Sequence, residues 1–264
     1  MLRLVGTLVA VLMACTACTS GSDPAAEPQA TAASPTEESA VSLGSVGIDW
    51  PEASGDLAPA DPPASPDGFD DELLGRMGDV LTEWAQASTL DTDAELPAEI
   101  DTAWREQTKD AVSPRLAIAN VFADDVTVVG PPRVTTAWRQ STEIDDAGKE
   151  YVLLELQTRA AYEVRLGDDA PTRVIGVLRV HGLSAYPDTT DDFGVSGGWQ
   201  EFGATDCALA LDDDLIPDGN LEAAELDLQT FVTIGAGTTV EMPSLGPEQQ
   251  VDAEYLERCR SSST

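Results

Sequence analysis

From residue 69 onward the chain switches between two hydrophobic periods. Leu73, Leu74, Met77, Val80, Leu81 and Trp84 recur every three or four positions, with the acids Asp70–Glu72 at the start, where the helix dipole favours negative charge. This spacing predicts a helix over about 70–88. Pro97 opens a second helical stretch carrying Ile100 and Trp104. Ser113-Pro114 reads as an N-cap followed by proline at the first helical position, with Ala117, Ile118, Val121 and Phe122 behind it. The period then falls to two. In 150–166 the even positions, from Val152 and Leu154 to Val164 and Leu166, are mostly apolar, while the odd ones include Glu155, Gln157, Arg159, Glu163 and Arg165. That is a long strand with one buried face. Asp146-Ala147-Gly148 suits a three-residue hairpin loop with glycine in the left-handed position. Gly167 to Pro171 turns the chain again. Strands follow over about 133–144, 150–166, 172–186 and, after a Gly/Asp-rich loop, 198–211. Two more helices are expected, over Asn220–Thr230 and Pro247–Arg260.

Helices followed by long antiparallel strands make an α+β class. One domain spans 69–264, with a core at 69–211 and an acidic helical C-terminal extension at 212–264. The order and lengths of the core elements resemble the NTF2-like (cystatin-like) roll. That resemblance implies N-terminal helices packed into a curved sheet around a conical pocket. The C-terminal extension departs from the minimal form of that fold.

The N-terminus follows a different logic. Arg3 supplies one positive charge, and Leu4 to Ala14 is an uncharged run of eleven residues. It is too short to span a membrane, which takes roughly 20 residues, and it suits a signal-peptide core. The run closes in Leu12-Met13-Ala14-Cys15, which resembles the lipobox of bacterial lipoproteins. The resemblance implies a signal peptide over 1–14 and a diacylglycerol on Cys15. It also implies anchorage in the bilayer at the extracytoplasmic face of the cell membrane. Cys18, preceded by Cys15-Thr16-Ala17, is the alternative lipidated residue. An ordinary secretory signal or an anchor helix is the competing reading. Twelve Arg against two Lys, in a chain rich in Ala, Val, Asp and Gly, gives the whole a composition similar to that of actinobacterial lipoproteins. Residues 19–68 hold 8 of the 17 prolines, nine acids and no Lys or Arg. They read as a disordered tether, so 15–68 is a lipidated N-terminus and linker, with Val46, Ile48 and Trp50 able to dock on the domain.

Charge and cysteines narrow the setting. With 48 Asp+Glu against 14 Lys+Arg, the formal charge is −34. Nucleic acid and anionic headgroups repel such a chain, so membrane attachment has to come from the lipid. Cys207 and Cys259 are the only cysteines in the part expected to fold. In an oxidising compartment they are expected to pair, closing a loop worth about 4 kcal/mol in the chain-entropy model.

Catalytic chemistry has few candidates. Gly194-Val195-Ser196-Gly197-Gly198 matches G-x-S-x-G, but the single histidine, His181, lies upstream. The segment reads as a glycine loop. Asp214, Asp218, Glu222 and Glu225 occupy positions 1, 5, 9 and 12 of a calcium-loop pattern. Ile216 at position 3 cannot ligate, and an acidic helix N-terminus is the competing reading. No cofactor is expected.

The arginines are the sharper feature. If strands 150–166 and 172–186 pair through the turn between them, Arg165 faces Arg173, Arg159 faces Arg179 and Gln157 faces His181. Like charges directly opposite are destabilising. Either the 17 acids of residues 181–257 neutralise this face, or it binds an anion or a partner protein through Arg159, Arg165, Arg173, Arg179 and His181. The resulting expectation is a non-catalytic binding or accessory module acting on an envelope protein or small ligand. The alternative is an NTF2-like small-ligand-binding or isomerase-type pocket enzyme.

Overall fold

The helical stripe that opens the domain forms α1, Asp71–Leu90. Asp70 starts it by accepting the Glu72 backbone N–H at 3.0 Å. Leu73, Leu74, Met77, Leu81, Trp84 and Ala85 are buried along one side. The structure is a computed structural model; residues 40–90, 95–109, 111, 114–190, 192–205, 207, 214–234 and 257 are described. Two short helices follow, α2 (Asp101–Thr108) and α3 (Pro114–Ile118). The strands are β1 (Val126–Val128), β2 (Arg133–Ile144), β3 (Glu150–Leu166), β4 (Arg173–Ala185) and β5 (Gly194–Phe202). Last comes α4, Leu221–Thr233, which Asn220 caps by accepting the Ala223 N–H. Among the described residues no helix is long and apolar enough to cross a membrane.

All five strands join one antiparallel sheet. β3 is its axis. β4 takes one edge of β3, while β2 and β1 take successive stretches of the other; β5 lies beyond β4. The β2–β3 hairpin closes as its sequence predicts. Gly148 takes φ 80°, and Asp145 Oδ1 accepts the N–H groups of Ala147 and Lys149. The fold is thus α+β, helices first and then a long antiparallel meander.

Each face of the sheet is covered. α1, α2 and α3 pack on one side, with Leu154, Leu156, Ile175 and Val177 beneath them. On the other side lie α4 and residues 41–50, over Ala161, Val174, Leu178 and Phe202. Glycines set both close approaches. A Cβ on Gly176 would stand 2.6 Å from the Phe231 ring, and one on Gly197 would stand 3.1 Å from Trp104.

Three expectations change here, and one strand was not expected at all. The folded region begins near residue 40 rather than 69. Pro51 O accepts the Val134 N–H, and Ala53 N–H donates to Pro132 O, each at 2.9 Å. Leu57 then enters the core, and Pro62 packs over Gly78. The prolines fit this path, since a strap along a strand edge needs few N–H donors. β5 spans 194–202 instead of 198–211, because Gly203 turns left-handed (φ 72°) and donates its N–H to Asp227 Oδ2 at 2.6 Å. The G-x-S-x-G stretch is therefore strand, with Ser196 paired to Gly182. β1 had no pattern to predict it. The expectations for 1–39, including Cys15 and Cys18, and, apart from residue 257, for the 247–260 helix lie outside the described residues.

Candidate functional site

The register of β3 with β4 decides where the charged residues go. Arg179 stands opposite Thr158, His181 opposite Leu156, Arg173 opposite Val164, and Arg159 opposite Leu178. The expected Arg159–Arg179, Arg165–Arg173 and Gln157–His181 pairs do not form. The difference is a one-residue slip, and a slip of one moves every side chain to the other face. Arg179 and His181 thus lie on the helix-facing side. Arg159 lies on the outer side. Arg165 is exposed opposite Thr127. Arg173 lines a cleft of about 140 Å³ with Leu166, Pro217 and Asp218 at the sheet's end.

On the helix-facing side a polar network is sealed into the core. Arg179, 3% exposed, donates to Asn120 Oδ1 at 2.7 Å and to Leu116 O at 2.6 Å. Asn120 Nδ2 donates to the Tyr162 hydroxyl at 2.6 Å, which donates in turn to Thr89 O at 2.7 Å. Beside it, Ser88 Oγ lies 2.8 Å from His181 Nε2, and Trp84 packs edge-on to the imidazole, centroids 4.7 Å apart. Burial governs the titration of all three ionisable groups. It lowers the Arg179 guanidinium to about 10, lifts the Tyr162 hydroxyl to about 12, and lowers His181 to about 3.

A hydroxyl 2.8 Å from an imidazole is the geometry of an activated nucleophile. Here Ser88 is 0% and His181 2% exposed, so no reacting group reaches the pair from solvent in this conformation. What the network does is mechanical. It ties the end of α1, the end of α3 and the loop at Asn120 to the centre of the sheet. Asn120, Ser88 and Thr89 escaped sequence reasoning. The available signal was Asn120 itself, a lone amide inside the apolar run 116–123.

On the outer side Arg159 is 7% exposed and sits between two segments far apart in sequence. Its guanidinium lies 4.9 Å from the Trp50 ring centroid and donates to the Ile234 carbonyl. Burial lowers its pKa. Trp50 also packs edge-on to Phe231, centroids 5.3 Å apart.

The acidic positions do not converge on a cation. Asp214 binds Arg115 at 2.6 Å, and Asp218 Oδ1 accepts the Asn220 N–H at 2.9 Å. Glu222 and Glu225 lie along α4. Among the described residues no three His, Cys, Asp or Glu side chains are placed to hold a metal. Cys207 is disulfide-bonded, and Cys259 lies outside the described residues. Near Cys207 a groove of about 520 Å³ is lined by Glu201, Thr205, Asp218 and Asp227. Comparison with protein-family models, with curated proteins and with solved structures finds no match for this chain.

Proposed function

We propose that the chain is an exported lipoprotein, held at the extracytoplasmic face of the cell membrane by a diacylglycerol on Cys15. Its α+β domain then serves as a non-catalytic binding or accessory module of the envelope. The observation that carries the reading is the uncharged run Leu4–Ala14 closing in Leu12-Met13-Ala14-Cys15. The charge of −34 supports the lipid as the means of attachment, since the polypeptide is repelled by anionic headgroups. The same reading pairs Cys207 with Cys259.

The packing of the domain supports a surface rather than a pocket. Helices before an antiparallel meander are the element order of an NTF2-like roll. A pocket enzyme of that type needs room between helices and sheet. Trp84, Trp104, Met77 and Leu156 occupy that space, each at most 2% exposed.

Membrane fractionation with a palmitate label tests the anchor. Cys15→Ser is expected to release the protein and abolish labelling. Retained labelling that is lost in Cys18→Ser moves the lipid to Cys18. Labelling that survives both substitutions, or is absent from the wild type, overturns the lipoprotein reading. Peptide mapping without reductant checks the Cys207–Cys259 bridge.

A further inference from the structure

Residues 41–50 sit on the outer face of the sheet in the manner of a bound ligand. Their backbone is closed on itself. Ser45 and Val46 donate to Ser42 O, Ile48 donates to Leu43 O at 2.9 Å, and Gly47 supplies the left-handed step at φ 81°. A unit whose backbone is satisfied internally leaves few orphaned groups when it lifts away. Towards the sheet, its backbone makes one bond at each of three points. Val41 N–H donates to Thr172 O at 2.9 Å, and Leu43 N–H donates to Glu163 Oε1 at 3.1 Å. At the strap's end Trp50 O accepts from Arg133 Nη1 at 3.2 Å. Side chains make the remaining contacts. Val41 and Ile48, each 4% exposed, fill an apolar floor made by Ala161, Val174, Leu178, Phe202 and Phe231. Trp50 lies against the Arg159 guanidinium and the Phe231 ring.

We propose that this outer face is a peptide-binding groove kept closed by the chain's own residues 41–50. Its outside occupant is a short apolar segment of a partner protein in which an aliphatic residue stands two positions before an aromatic one, as Ile48 stands before Trp50. The groove itself defines that chemistry. The apolar floor takes the aliphatic residue, Arg159 recognises the face of an aromatic ring, and the Glu163 carboxylate accepts a backbone N–H. With the strap lifted, the floor becomes an exposed apolar patch of the kind that binds another protein. Pro51 and Glu52, where the strap meets the β2 edge at the Glu52–Arg133 bridge, form the hinge. The proposal deepens the binding-module reading and rests on it for the existence of an outside partner. Exchange of the strap is a property of the fold and can fail while lipid anchoring through Cys15 holds.

A fluorescein-labelled peptide of residues 40–53, titrated into the full chain, tests the groove. In wild type the strap competes in cis. The peptide is therefore expected to bind a full chain carrying Ile48→Ala and Trp50→Ala at least about tenfold more tightly than wild type. Equal binding to both chains, with circular dichroism showing both folded, overturns the proposal. A second measurement needs no variant. In the wild-type chain the Val41 and Leu43 amides are expected to exchange hydrogen at least about 100-fold faster than the amides inside β3. Equal protection means the strap leaves only when the whole domain unfolds, and overturns the proposal equally.

Discussion

Arg179 and Arg159 lie on neighbouring strands of one sheet, both buried, but they point to opposite sides. Arg179 faces the helices, where neutral acceptors from α3 and the Asn120 loop hold its guanidinium on a rigid frame. Arg159 faces outward, where an aromatic ring from residue 50 and a carbonyl from residue 234 meet over it. The helix-facing network is closed: each member is bonded to others that are themselves sealed in. The outer site is composite, and one of its walls is a strap that belongs to the N-terminal approach. A buried cation with fixed acceptors stabilises one arrangement. A cation under an aromatic lid leaves the lid exchangeable.

The largest test of this contrast is a paired set of substitutions followed by denaturant unfolding. Arg179→Ala orphans two buried acceptors, and Trp84→Ala opens a cavity beneath α1; each is expected to cost about 3–5 kcal/mol. Arg159→Ala and Trp50→Ala are expected to cost about 1–2 kcal/mol each, because cation–π contact and partial burial are lost without leaving a sealed void. Equal costs on the two sides would erase the distinction.

Acid sharpens it next. The folded His181 pKa, near 3, lies below the ordinary unfolded value near 6.5. Its contribution to stability is therefore fully present above pH 6.5 and is lost as pH falls through 3. Between those limits the group adds a slope of up to about 1.4 kcal/mol per pH unit. His181→Leu is expected to remove that slope from a pH series of urea midpoints, while Arg159→Ala leaves it in place. A series unchanged by His181→Leu would show that the imidazole is already solvated in the folded state.

The smallest effect belongs to neither face. Arg105 pairs with Asp101 at 2.6 Å on α2, with its side chain 51% exposed. Arg105→Ala is expected to shift stability by about 0.5 kcal/mol or less, and by less still in high salt. A larger shift in thermal melts would mean that the cleft it shares with Lys109 and Arg115 holds α2 against α3.

Much of the frame was legible before the structure. The ranges 133–144 and 150–166 coincide with β2 and β3, because a left-handed glycine and an Asp side chain close the hairpin locally. The site was less legible. Alternation specifies register only when one face is polar. β4 is buried on both faces, with Val174, Leu178, Ile175 and Val177 all in cores, so its pattern carried no information about which way Arg179 points. Composition misled over residues 40–68, where prolines and acids read as tether. Val46, Ile48 and Trp50 were the only sign that this stretch had a surface to cover. Glycines likewise read as loop in β5, although Gly197 is small because Trp104 approaches it.

The sequence by itself determined the quantities that depend on neighbours along the chain: the helical stripe of α1, the β2–β3 turn, the uncharged run at residues 4–14 and the distribution of charge. Only the tertiary structure decided which arginine is sealed and which is lidded. Those outcomes join positions such as Leu43 with Glu163 and Arg159 with Ile234, which lie 120 and 75 residues apart. They follow from the free energy of filling both faces of one sheet at once. No local window of residues contains that sum, because it depends on which distant segments arrive to cover each side.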